Sequence, residues 1–292
     1  MLVALLFYGY ATGVFSSRKL AQATYDSIAF RYICANTHPD HRTIADFRKR
    51  FLDELAALFT QVLLVAQAMG LLKLGTVSLD GTKLKANASK HKALSFEHAS
   101  RLEAQLKGEV EELLRLAEQA DNAQAGVDTD THLIVGQHVT DHSNDKQELA
   151  PALKRLDALP EVLGEVDALL ADTGDHGEAN LDRCATAGID SYIPEARQRH
   201  NPPLAKRLAD DPPAPAGQPP PAEANAQRLR ARAGAGKARY AKRKATAEIV
   251  FGIIKHVQGF RQFLLRGLRA VQGEWALVCL GWNLKRLFAL KI

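Results

Sequence analysis

Two short apolar runs constrain this chain more than anything else in it. Residues 76–86, beginning TVSLD, and residues 163–172, LGEVDALLAD, both read as strands, and their apolar stretches end on Asp80 and Asp172. A surface strand has no need of an acid at its end. An α/β sheet, whose chemistry gathers outside the carboxyl ends of its strands, does. Residues 122–140 read as a β-hairpin turning at Asp128–Thr131, and 147–158 as a helix. After Asp172, Gly177 and Glu178 lead into a helix that Gly188 closes, and DSYIPEA is a further short strand. The order strand, strand, strand, helix, strand, helix, strand predicts a mixed α/β core.

Residues 1–72 read as helical. The opening apolar run contains Gly9 and Gly13, is too short to span a bilayer, and lacks a basic lead and a cleavage site, so a buried helix is expected and no membrane partner. SSRKLAQATYDSIAFRYI begins at a serine cap, with apolar positions Leu20, Ala21, Tyr25, Ile28, Ala29 and Tyr32 at helical spacing. Thr43 caps a long helix closing near Gly70. Pattern alone leaves this region open between a DNA-binding domain and a dimerisation domain, the latter making a homodimer. Residues 95–120 form a charged helical insertion, and 201–221, with eight of the twelve prolines, an extended linker. Helix resumes at GKARYAKRK, and GEWALVCLGWNLKRLFAL is a last apolar helix. Trp275, Trp282, Phe260 and Phe263 are expected in the core.

Charge is uneven. The formal net charge is +5, yet Arg228 to Lys244 carries eight Lys or Arg and no acid, a pattern that favours a polyanionic partner. Three cysteines without C-x-x-C spacing fit buried roles in a reducing cytoplasm and no zinc module. No H-x-x-x-H pair lies on a shared helix face and no phosphate-binding G-x-x-x-x-G-K-[ST] loop is present. Two carboxylates at strand ends can share Mg²⁺, which takes oxygen ligands, and a third acid would complete the site. Glu178, Asp182, Glu223 and Glu248 are candidates. Glu248 stands out because its helix is otherwise basic and apolar, with Lys244 and Lys255 on its face. The plain alternatives are that Asp80 and Asp172 cap the turns that follow them and Glu248 pairs with Lys244.

At these residues the chain resembles the DDE transposases of bacterial insertion sequences, the branch whose third acid sits in a Y…R…E…K helix. The blocks YGYATGVFSSRKL, NTHPDHRTIADFRKRF, LDGTKLKANASKHKA, NAQAGVDTDTHLIVGQHVTDHSND, LLADTGDHGEANL and YAKRKATAEIVFGIIKHVQGFRQFLLRGL carry the resemblance over nearly the whole chain. It implies a ribonuclease H-like catalytic domain at 73–292 behind a small all-helical domain at 1–72. Asp80, Asp172 and Glu248 would be the catalytic, metal-holding triad for two Mg²⁺ or Mn²⁺ ions. Tyr240, Arg243 and Lys255 would match the signature. The activity implied is metal-dependent cleavage and strand transfer at element ends, with those ends and a target as DNA partners. Lys83, Lys85, Lys244 and Lys255 are expected phosphate contacts near the site, with Tyr240 and Arg243 also expected to bind DNA and Arg228, Arg230, Arg232, Arg239, Arg261 and Arg266 to track the backbone further out. In one departure, four residues separate Arg243 from Glu248 where the commoner form has three, so Lys244 takes the helical i−4 position. Relatives also carry more chain before YGYATG and between the first two strands. The chain therefore reads as N-terminally truncated, with a non-catalytic DNA-binding remnant, or a repurposed DNA binder, as the alternative.

Overall fold

The computed structural model describes residues 1–85, 122–140, 147–195, 219–230 and 235–291. The helix expected at 95–120 lies outside the described residues, as does the proline-rich stretch as far as 218.

Five helices open the chain: α1 (Leu2–Thr12), α2 (Ser17–Asp26), α3 (Ile28–Ile33), α4 (His41–Arg50) and α5 (Leu52–Ala68). The α1 helix stops at Gly13, whose φ of 84° is a left-handed conformation that glycine tolerates. Three expectations need correction here. The backbone turns extended at Ser27 and separates α2 from α3, so Leu20 and Phe30 are buried while Tyr25, Ile28 and Tyr32 are exposed. The cap of α4 is Asp40, whose carboxylate accepts the Arg42 N–H at 2.8 Å, rather than Thr43. The long helix is two, α4 and α5, bent by 73° at Phe51. No single helix among the described residues is long and apolar enough to cross a membrane.

The sheet follows. Strands β1 (Thr76–Lys83), β2 (Asn122–Asp128), β3 (Ile134–Thr140), β4 (Ala168–Leu170) and β5 (Asp190–Tyr192) lie in the order β3-β2-β1-β4-β5. The first three strands are antiparallel neighbours, and β4 and β5 run parallel to β1. The β2–β3 turn is locked by Asp128, which accepts the Thr131 N–H at 2.8 Å and its hydroxyl at 2.6 Å. Helices α6 (Leu149–Asp157) and α7 (Glu178–Thr186) flank β4, and Gly188 with φ 71° ends the second. This is a mixed α/β sheet of ribonuclease H-like form with helices ahead of it.

Further along the chain come α8 (Pro221–Arg230), α9 (Ala235–Ala245), α10 (Ala247–Gly252), a π turn (Ile253–Val257) and α11 (Leu268–Lys291). Helix α8, which the sequence reading did not foresee, starts on Pro221, where a missing N–H costs nothing. Helix α11 is the spine of the fold, packed on α1, α5 and β3. Asn283 both accepts the Ile134 N–H and donates to the Ile134 carbonyl, each at 2.8 Å, and Trp275 donates to the Gln124 carbonyl at 3.1 Å. A Cβ at Gly281 would stand 2.9 Å from the Tyr10 backbone, so glycine there lets α1 lie close. Trp275, Trp282, Phe260 and Phe263 are buried as expected, and so are free Cys34, Cys184 and Cys279.

Candidate active site

The parallel register decides where the first two acids go. Ser78 pairs with Leu170, so two residues further along each chain bring Asp80 and Asp172 side by side past the β1–β4 ladder. Asp80 accepts its neighbour Gly81's N–H at 3.0 Å, and Asp172 accepts the Thr173 N–H at 2.6 Å as it caps a 3₁₀ turn. Only Asp172 caps a turn: β1 runs on through Asp80 to Lys83, so Asp80 lies within its strand rather than at its end, and the two N–H bonds fix the direction of both carboxylates.

The third element is delivered by side-chain anchors. Arg228 on α8 donates from Nε to the Ser191 carbonyl at 3.2 Å, pairs with Asp190 at 3.3 Å, and lies over the Tyr192 ring. Asn225 bonds both the N–H and the carbonyl of Ile193, at 2.9 and 2.8 Å. Arg239 on α9 lies over the same ring and pairs with Asp167 at 3.9 Å, while Lys242 pairs with Asp130 at 2.8 Å. Arg228, Arg239 and Lys242 of the basic run thus have partners within the chain, where the sequence left Arg228 and Arg239 free to track a DNA backbone.

So held, α9 puts Arg243 among the acids. Its Nη2 stands 3.1 Å from Asp80 and 3.4 Å from Asp172, and its Nη1 3.3 Å from Glu248 on α10. The guanidinium is only 9% exposed, against 17% for Asp80, 59% for Asp172 and 47% for Glu248. The extra residue between Arg243 and Glu248 is absorbed at Thr246, whose φ of −114° and ψ of −92° break the helix between α9 and α10. That break also corrects the expected face. Lys244 is exposed, and the partner of Glu248 is Arg243.

Burial pushes the Asp80 carboxyl up, against the opposing pull of Arg243 and the Gly81 N–H. Burial works against the Arg243 charge too, but Asp80, Asp172, Tyr240 and Glu248 together raise it above its ordinary value. Tyr240, half-buried against Arg243, is raised chiefly by burial. Burial lowers half-buried Lys255, while Asp80 is near enough to pull the other way. Around them lies an exposed basic rim. Lys83 ends β1, and Lys85 makes an isolated bridge to Gln262. Arg261 donates to the Lys255 carbonyl at 3.2 Å and lies 3.2 Å from His256 Nδ1. Arg266 stands exposed further out. The sequence pointed to Arg243 as a signature residue but not to its place among three acids. The unusual spacing to Glu248 was the one signal of it.

Among the described residues no three acidic, histidine or cysteine side chains are already set around a common point as ion ligands would be. The donor set nevertheless suits a hard divalent cation, being carboxylate oxygen only and gathered on one positive charge.

A mixed sheet of ribonuclease H-like form, with one acid on its central strand, one just past that strand's parallel neighbour and a third on a helix beside them, is the form of a nucleic-acid-processing domain. Residues 76–284, well over half of the chain, match the family described as Transposase DDE domain, and residues 1–50 match the one described as Transposase domain (DUF772). The chain belongs to the DDE transposases of insertion-sequence type. No curated protein and no solved structure matches it.

Proposed function

We propose that this chain cuts and joins DNA strands at the ends of its element, with Asp80, Asp172 and Glu248 as the residues that hold divalent ions. The observation that carries the reading is the convergence of three acids, from segments far apart in sequence, on one buried positive charge. When bound, two Mg²⁺ or Mn²⁺ ions would polarise the phosphoryl oxygens and activate a water or a 3′-hydroxyl.

The chain's own residues position and neutralise. Asp80 and Asp172 are each aimed by an N–H group that they accept. Lys255, beside Asp80, is placed to hold a non-bridging phosphate oxygen. Lys83, Lys85, Lys244, Arg261 and Arg266 take phosphates on either side, and Tyr240 braces the strand next to the acids. Such contacts give affinity and steep salt dependence and do not read sequence. The partners on this reading are element ends and target DNA, met in the cytoplasm, where buried free thiols persist.

The test is a gel assay on supercoiled DNA carrying the sequences that flank the gene, with Mg²⁺ or Mn²⁺. Nicking and joining that require the metal, and that Asp172→Asn abolishes, are expected. Nicking without joining would make the chain a nuclease. Binding without cleavage would make it a non-catalytic DNA binder and sink the reading.

A further inference from the structure

Given the ion-holding role proposed above for the three acids, we propose that Arg243 is a built-in stand-in for the divalent cation. It holds Asp80, Asp172 and Glu248 together until an ion enters, and it must leave them for the ion to bind. Two terminal nitrogens reach three carboxylates at 3.1, 3.3 and 3.4 Å, so the guanidinium takes up the space that those oxygens would offer an ion. A guanidinium and a divalent ion on the same oxygens would repel each other at so short a distance.

One further feature marks this as an arrangement that can be left. Arg243 and Glu248 belong to different helices, with a non-helical residue at Thr246 between them and a π turn at Ile253–Val257 just beyond. Rotation at Thr246 withdraws the guanidinium from the acids while both helices stay formed. Such breaks and π turns recur where a helix serves function.

The test is titration calorimetry of Mn²⁺ into the whole chain and into Arg243→Gln, beside their ion-free melting temperatures. The variant is expected to melt lower without ions, to bind Mn²⁺ at least about tenfold more tightly, and to regain its melting temperature once loaded. Equal or weaker binding by the variant would overturn the proposal and leave the ion-holding triad standing. Binding by neither protein would overturn the triad's role as well. Should Arg243→Gln fail to fold, nitrogen NMR of the arginine Nε groups in the native chain decides, with Arg243 assigned through Arg243→Lys. Its signal is expected to move on saturation with Mg²⁺, and an unmoved signal would refute displacement.

Discussion

The seam between α11 and the sheet and the acid cluster beyond β1 both bury polar groups, and they treat them differently. Along the seam the partners are backbone. Asn283 satisfies both polar groups of Ile134, and Glu274 accepts the Leu264 and Leu265 N–H groups at 2.9 Å each. At the cluster the partners are charges. Three carboxylates share one guanidinium, and two of those acids are about half exposed. Backbone partners cannot be exchanged, so the seam fixes one arrangement. Shared charges can be, so on the proposed reading the cluster holds an arrangement that an ion can replace.

The sharpest way to break this contrast is to truncate one residue in each region. Trp275, fully buried and bonded to Gln124, should cost about 3–5 kcal/mol of folding stability as Trp275→Ala. Asp172→Asn should change stability by less than about 0.5 kcal/mol, since that side chain is 59% exposed. Denaturant titration of both variants checks the pair. A site variant as damaging as the seam variant would make the acids structural.

A smaller effect, in pH, sharpens the seam's side. Burial raises the Glu274 carboxyl, with the Leu265 N–H, Arg48 and the Leu264 N–H opposing. An acid raised in the folded chain stabilises it fully below the unfolded value, and that contribution is lost as pH rises through the folded value. Glu274→Gln keeps an oxygen for the two N–H groups and cannot ionise. Its melting temperature should therefore gain on the native chain's as pH climbs above about 4.5, the ordinary value for a glutamate. A gap that stays constant with pH would mean that Arg48 and the N–H groups fully offset the burial.

How much of this was legible in the sequence follows the range of the forces involved. The hairpin at Asp128, the helix closed by Gly188 and the aromatic core announce themselves through local turn chemistry and apolar spacing. Asp80 and Asp172 were legible as a neighbouring pair, because a parallel register needs only the two runs, although β1 proved to run on through Asp80 to Lys83. What could not be read was how distant charges pair. Arg228, Arg239 and Lys242 look like free cations in a basic run until folding brings them Asp190, Asp167 and Asp130. The breaks at Ser27, Phe51 and Thr246 carry no proline or glycine, and helical periodicity runs through all three. At Thr246 the break is what turns an off-register Arg243 onto Glu248.

On the proposed function, Asp80, Asp172 and Glu248 form one divalent-cation site. Loading the chain with Fe²⁺ in the presence of ascorbate and peroxide, and mapping the resulting backbone cuts by mass spectrometry, tests it most directly, because radicals made at a bound iron cut only the chain beside it. The account predicts cuts near residues 80, 172 and 248 together, suppressed by excess Mg²⁺ and by Asp80→Asn. Cuts elsewhere, or cuts at these three places that neither Mg²⁺ nor the substitution suppresses, would contradict it.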